Sequence, residues 1–227
     1  MATFDPVRLV HLAWEYRDNF LTGAGVTFAL TITSTAIAAV AGLALCLLGM
    51  ARPRAARILA VIFTEFFRNT PILVLVVWVH FAVPDMIGLK LTAYASAIAA
   101  LALQTTAYLA EEYRAGIEGV PAGQVEAARA LGLPRHVTLR KVVLPQALRA
   151  IAPGLMNQFV LCFKSTSVVS VIAVPDIMYY ATVIVNETFL SMYIYTIAAL
   201  LYFVLVLIVS LACRIALQME ARRRIRA

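Results

Sequence analysis

Residues 19–51 read NFLTGAGVTFALTITSTAIAAVAGLALCLLGMA and contain no charged side chain. Crossing the roughly 30 Å hydrocarbon core of a bilayer takes about 20 mostly apolar residues as a helix, so this run is long enough to span a membrane. The whole chain of 227 residues is similar, because 63% of it is hydrophobic and only 14% is charged. Soluble domains carry roughly 25% charged residues. The composition therefore excludes a soluble globular enzyme and predicts one membrane-embedded domain over residues 1–227.

Five stretches are long and apolar enough to cross the bilayer, and we predict helices because an open strand would leave backbone groups unpaired in lipid. These predicted spans lie at about 25–49, 58–83, 91–110, 150–174 and 190–213. Most basic residues fall in the segments 50–57, 111–149 and 214–227, which lie on one side of this arrangement. Positively charged loops face the cytoplasm. An all-α membrane protein with its N-terminus outside and its C-terminus inside is therefore expected.

The sequence contains no recognisable site for a metal, a redox group or a nucleotide. Its three cysteines lie in apolar stretches without a CxxC pair, and its three histidines are widely separated, so no cofactor is expected in this chain. No GxxxxGK[ST] loop, the usual cradle for ATP phosphates, occurs in the sequence. We therefore expect a protein that is not an enzyme and does not hydrolyse ATP.

The cytoplasmic segment 111–149 is the most informative part of the chain. It contains EAARALG from Glu126 to Gly132, in which glutamate, alanine, arginine and leucine favour a helix. Gly132 suits the position just past a helix end. The pattern predicts a short helix at about 123–131, held away from the membrane. From composition alone, this helix either packs on its own bundle or is bound in a groove of another protein.

The same segment resembles the cytoplasmic signature of ABC importer permeases, which reads Glu-Ala-Ala, three residues, Gly, nine residues, an aliphatic residue, one residue and Leu-Pro. The matching positions are Glu126, Ala127, Ala128, Gly132, Val142, Leu144 and Pro145. Further stretches resemble the polar amino acid branch of these permeases, and they are FRNTP at 67–71, AYLAE at 107–111, RAGI at 114–117, LPQALR at 144–149 and SVVSVI at 167–172. The resemblance covers about residues 20–215.

The resemblance implies the transmembrane domain of a type I ABC importer, a permease that moves polar amino acids across the bacterial inner membrane. It also implies that the short helix is a coupling helix seated in a cytoplasmic ATPase subunit. The implied contact residues are Glu126, Ala127, Ala128, Gly132, Leu144 and Pro145. The implied partners are a second permease subunit, identical or homologous, two ATPase subunits that carry ATP and Mg, and an extracytoplasmic substrate-binding protein.

Charged side chains inside a span usually mark a transport pathway or a buried pair. Arg68 lies near the middle of the second predicted span, and Glu65, three residues earlier, shares its helix face. Pro71 breaks the helix one turn later and frees a carbonyl. Two interpretations stay open. Glu65 and Arg68 neutralise each other and fix helix packing, or Arg68 holds a substrate carboxylate through its planar guanidinium.

Polar groups on other spans complete the candidate substrate site. Lys164 is the one charge in the fourth predicted span, and Gln104, Tyr108 and Glu111 form a stripe on the third. The stripe either contacts substrate or joins helices. The candidate substrate-binding residues are Glu65, Arg68, Asn69, Thr70, Gln104, Thr105, Tyr108, Asn157, Lys164 and Ser165. The three charges of this set sum to net +1, which favours an acidic or neutral polar amino acid.

Two other functions stay open at this point. An ATP-independent secondary carrier or channel for a small anionic solute would need acidic ion sites facing a lumen, and Glu65 is the one candidate. A membrane scaffold would not need Arg68 and Lys164 inside the bilayer. Asp176 and Glu187 fall in a loop expected to face outside, where they either meet an external binding protein or are solvated.

Overall fold

The computed structural model describes residues 5–88 and 90–225, with side chains up to Met219. All regular structure in these residues is helical, so the predicted all-α fold is confirmed. The helices are α1 Pro6–Glu15, α2 Arg17–Gly49, α3 Arg54–Asn69, α4 Ile72–Val77, α5 Val83–Ile87, α6 Ala93–Glu118, α7 Ala122–Ala130, α8 Arg135–Thr138, α9 Leu144–Ser165, α10 Ile177–Thr188 and α11 Ser191–Ile225. The tail arginines at 222–226, which helped to orient the chain, lie outside the described side chains.

Four helical stretches are long and apolar enough to cross a membrane: Arg17–Gly49, Ala93–Glu118, Arg135–Ile172 and Ser191–Met219. The pair α3 and α4–α5 supplies a fifth if it is counted as one broken span. Two helices extend into the segment 111–149, which we expected to lie outside the membrane, because helices need not end at the bilayer surface. The helices at the expected spans 91–110 and 150–174 are therefore longer than those spans, and the span bounds stay a prediction.

The expected second span, 58–83, is not a continuous helix. It ends at Asn69, and the backbone of Thr70 and Pro71 is extended, with ψ angles of 128° and 136°. Proline lacks an N–H donor, and its ring pushes the preceding residue out of the helical region. The predicted break at Pro71 is thus confirmed, and it separates two helices.

Two other prolines are accommodated without such a break. Pro84 and Pro145 each follow a π-helical turn, at Trp78–Ala82 and Leu139–Val143. In both places the residue before the proline donates its N–H to the carbonyl five residues back instead of four. The wider turn relieves the clash between the proline ring and the preceding carbonyls. The chain therefore stays helical through both positions.

Contacts divide the chain into two compact units. Unit 1 holds the residues up to Ser34, Pro71–Ala102 and Val160–Ala212, and unit 2 holds Thr35–Thr70, Leu103–Phe159 and the residues from Cys213 onwards. The core of unit 1 joins α1, the start of α2, α10 and the start of α11 through residues such as Leu12, Phe20, Ile177 and Ile194. The core of unit 2 joins α2, α6 and α9 through Ala38, Cys46, Leu109 and Ile151.

Asp176 is fully buried in unit 1, so both expectations for it, contact with an external binding protein and solvation, are wrong. Its carboxylate accepts hydrogen bonds from the Tyr179 N–H at 2.8 Å and from the Tyr202 hydroxyl at 3.0 Å. Burial raises the pKa of this carboxyl to about 6. The first bond caps the N-terminus of α10, and the second ties that cap to α11. The loop residue is therefore a structural anchor.

Gly23 lies against the backbone of this anchor, since a Cβ on Gly23 would be 2.8 Å from the Asp176 carbonyl carbon. We expect Gly23→Ala to lower the melting temperature of the purified protein, because backbone atoms cannot move aside easily and overpacking costs about 1–3 kcal/mol. Gly25→Ala is the matched control in the same helix, with nothing within 4 Å of its Cβ. Equal melting temperatures for the two variants would contradict the close approach.

Candidate functional site

The break after α3 leaves backbone carbonyls without a helical partner, and side chains of α6 bind them. Gln104 donates to the carbonyls of Phe67, at 3.5 Å, and Thr70, at 3.0 Å. The Tyr108 hydroxyl donates to the carbonyl of Arg68 at 3.3 Å. In a continuous helix, the Phe67 carbonyl would accept a hydrogen bond from the backbone N–H of residue 71, which proline lacks. The polar stripe on α6 therefore joins the two helices at the break.

Charged side chains continue this stripe to the last turns of α6. The Arg68 guanidinium lies 3.8 Å from the Glu111 carboxylate, and its carbon is 5.6 Å from the centre of the Tyr108 ring. Glu111 also accepts two hydrogen bonds from Arg114, which pairs in turn with Glu118 at 3.5 Å. These side chains are part-exposed, where an ion pair contributes about 0–1 kcal/mol. The Glu111 carboxylate therefore pairs with two arginines, Arg68 and Arg114.

Of the two interpretations left open for Arg68, the neutral pair with Glu65 does not form. The Glu65 carboxylate accepts a hydrogen bond from the Asn69 side-chain amide at 2.8 Å, and Arg68 pairs with Glu111 instead. The long arginine side chain reaches a neighbouring helix, which spacing along one helix cannot reveal. The net charge of +1 counted for the candidate set also left out Glu111, which pairs with Arg68. With that residue included, Arg68 is balanced.

A cavity of about 500 Å³ opens beside this network within unit 2. Its charged lining consists of Arg57, Glu65, Glu111, Arg114 and Glu118. Arg57 makes no ion pair within the described residues, and Glu65 makes none there either. The cavity therefore offers unpaired charges of both signs. Such a lining suits a zwitterion, which carries a carboxylate for an arginine and an ammonium group for a glutamate.

The candidate substrate residues predicted from the sequence leave out four of these charged lining residues. Arg57 was assigned to a cytoplasmic loop, although it lies in the first turn of α3. Glu111, Arg114 and Glu118 are spaced three and four residues apart, which places them on one helix face. That spacing is visible in the sequence and was the available signal.

The remaining predicted residues differ in their surroundings. Thr105 is buried in α6. Asn157 is exposed, and its side chain makes no hydrogen bond in the part of the chain that the structure describes. Lys164 is also exposed, Ser165 is half-buried, and both belong to unit 1. The described contacts therefore bring together the break and the α6 stripe, and no described hydrogen bond links Asn157 to them.

The predicted short helix is present as α7, and Gly132 ends it as expected. Gly132 has a φ of +72°, its N–H bonds to the Arg129 carbonyl at 2.9 Å, and the next N–H bonds to the Ala128 carbonyl at 3.1 Å. This is the Schellman arrangement, for which glycine is favoured. Ala128 is buried by the chain itself, whereas Glu126 is exposed and Leu131 is 79% exposed. One face of α7 is packed, and the other is open.

Several long apolar helices and a small, rigidly capped helix that projects an open face define a multi-pass membrane protein. Residues 34–218 match the family of binding-protein-dependent transport system inner membrane components. The chain belongs to this family, the permeases of ABC importers in the inner membrane. The resemblance to amino acid ABC permeases drawn from the sequence motifs is confirmed.

Individual relatives cover most of the chain. The octopine transport system permease protein OccM of Rhizobium meliloti is 35% identical over 207 residues, which is 88% of this chain and 83% of that protein. The arginine transport system permease protein ArtQ of Bacillus subtilis is 33% identical over 190 residues, covering 84% of this chain and 87% of its own length. The crystal structure of an amino acid ABC transporter with histidines superposes with a TM-score of 0.86 at 32% identity, over 98% of this chain and 100% of that one.

The hydroxyl of Tyr108 can be tested apart from its ring. We expect Tyr108→Phe to lower the free energy of unfolding by about 1 kcal/mol, because the Arg68 carbonyl at the break loses its partner. Tyr94→Phe, also in α6, is the control, since its hydroxyl makes no hydrogen bond within the described residues. Denaturant unfolding of the two purified variants measures the difference. Identical midpoints would show that the break does not need this bond.

Proposed function

We propose that this chain is the permease subunit of an ATP-driven importer of polar amino acids. Family membership supports the importer, and relatives named for arginine and octopine support an amino acid cargo. The proposed assembly contains a second permease, two ATPase subunits that bind ATP and Mg, and an extracytoplasmic substrate-binding protein. The N-terminus is outside and the C-terminus inside in this proposal, as the distribution of basic residues favours.

The open face of α7 is the observation that carries the proposal. A chain without a phosphate loop must receive energy from a partner, and a rigid helix with an exposed apolar end offers a place to receive it. The proposed contact residues are Glu126, Ala127, Gly132, Leu144 and Pro145, with Ala128 supporting the helix from inside. The left-handed glycine fixes the direction in which the chain leaves α7, so a push on the helix is transmitted to α8 and α9.

The cavity of unit 2 and the break of α3 are the proposed path for substrate. Arg68 can meet a substrate carboxylate, because its side chain is 37% exposed and its Nε has no hydrogen-bond partner among the described residues. The other proposed substrate residues are Glu65, Asn69, Thr70, Gln104, Thr105, Tyr108, Asn157, Lys164 and Ser165. Since Arg68 is balanced by Glu111 and the cavity lining carries both signs, the charges favour a neutral, zwitterionic polar amino acid over an acidic one.

The cap of α7 gives a test of energy coupling. We expect Gly132→Val to abolish substrate-stimulated ATP hydrolysis and uptake in proteoliposomes, because a side chain at positive φ costs about 1–2 kcal/mol and reorients the helix. Gly88→Val is the control, since Gly88 has the same backbone conformation, with a φ of +70°, and equally open surroundings. Normal coupling in the Gly132 variant would contradict the proposal.

The two roles left open for Arg68 predict different results. If Arg68 binds the substrate carboxylate, Arg68→Ala should reduce uptake at least ~10-fold at unchanged expression, since a charged hydrogen bond contributes about 1.5–3 kcal/mol. Glu111→Gln should then keep most of the uptake, because it frees the arginine. Equal losses in both variants would mean that the pair itself is what matters and that Arg68 is structural.

A further inference from the structure

Helix α1 lies across the N-terminal ends of two spans. At its start, the Asp5 N–H donates to the Tyr193 hydroxyl at 3.1 Å, and the Arg8 guanidinium lies 5.4 Å from the centre of the same ring. Tyr193 is the third residue of α11. At its other end, α1 leads within two residues into α2, where Phe20 shares a buried core with the first turns of α11. A helix of ten residues is about 15 Å long, and α1 therefore bridges the N-terminal ends of α2 and α11.

The side chains of α1 divide into a packed face and an open apolar face. Leu12 is buried, and Leu9, Ala13 and Tyr16 pack around it on the core of unit 1. Val7, Val10 and Trp14 are 77%, 68% and 70% exposed. Their spacing of three and four residues makes them one stripe along the helix. Within the described residues, the stripe is left mostly exposed, and the Arg17 guanidinium over the Trp14 ring is its one recorded side-chain contact.

A third face of α1 is polar. It consists of Arg8, His11 and Glu15, all exposed, and the last two lie 3.7 Å apart. Each of the three faces of α1 therefore suits a different environment. Protein accounts for the first and water for the third.

We propose that Val7, Val10 and Trp14 lie in the boundary between lipid headgroups and acyl chains, so that α1 is a membrane-surface helix. The apolar exposure continues directly into α2, where Leu21 is 67% exposed on a helix that spans the bilayer. Trp14 stacks under the Arg17 guanidinium at 4.7 Å. Tryptophan favours the headgroup level, and arginine can hold its charge in water while its stem covers apolar surface. The occupant of the stripe is therefore lipid.

Trp14 supplies its own reporter, because the chain has two tryptophans and the other is Trp78. The full-length Trp78→Phe protein is reconstituted into phosphatidylcholine vesicles whose acyl chains carry bromine. We expect Trp14 emission to be blue-shifted, to lose most of its intensity to brominated lipid, and to be little affected by aqueous iodide. If Trp78→Phe does not fold, the difference between the wild-type and Trp14→Phe spectra gives the same quantity.

Two outcomes would overturn the proposal. One is strong iodide quenching without quenching by brominated lipid, which would place the stripe in water. The other is protection of Trp14 that arises only when a purified binding protein or a second permease copy is added. A pair of variants adds a control, since Val10→Glu should reduce quenching by brominated lipid whereas His11→Glu, on the polar face, should leave it unchanged. Equal quenching in both would also contradict the assignment.

Discussion

The structure depends on how a membrane protein satisfies the carbonyls that a proline sets free. In lipid no water is available to an unpaired backbone group, and leaving one unpaired costs several kcal/mol. Pro71 removes one donor and ends α3, so the carbonyls of the last turn need partners from elsewhere. Gln104 and Tyr108 provide them. The polar stripe that looks like a substrate site in the sequence thus first serves the backbone.

This backbone requirement also places the charges. Once Tyr108 binds at the end of α3, its ring lies beside the Arg68 guanidinium and Glu111 follows one turn later on the same face of α6. The two arginines that share Glu111 come from different helices. The charged cavity opens beside this network, and its charged lining comes from the broken helix α3 and the continuous helix α6. The backbone break at Pro71 therefore determines which charged side chains surround the proposed path of a polar solute.

The sequence allowed some of these features to be predicted, and the reasons for the misses are physical. The break at Pro71 and the cap at Gly132 follow from local backbone chemistry, which depends on a few neighbouring residues. The pairing of Glu65 with Arg68, one of two interpretations left open, does not form, because a long arginine side chain can reach a partner on a neighbouring helix. Asp176 was misplaced for a similar reason, since a carboxylate in a short loop is equally suited to water and to capping a buried helix start. Tertiary packing decides both cases.

The anchoring of Asp176 has a practical consequence for anyone who wishes to label this protein. In the sequence, the stretch from Ala173 to Leu190 looks like a loop that could accept an inserted epitope or fluorophore. Its first half, however, is held in place by the buried Asp176 carboxylate and by the close approach of Gly23. An insertion there would unseat the start of α10. A label at Gly88 should disturb the fold less, because no described atom lies within 4 Å of a Cβ built there.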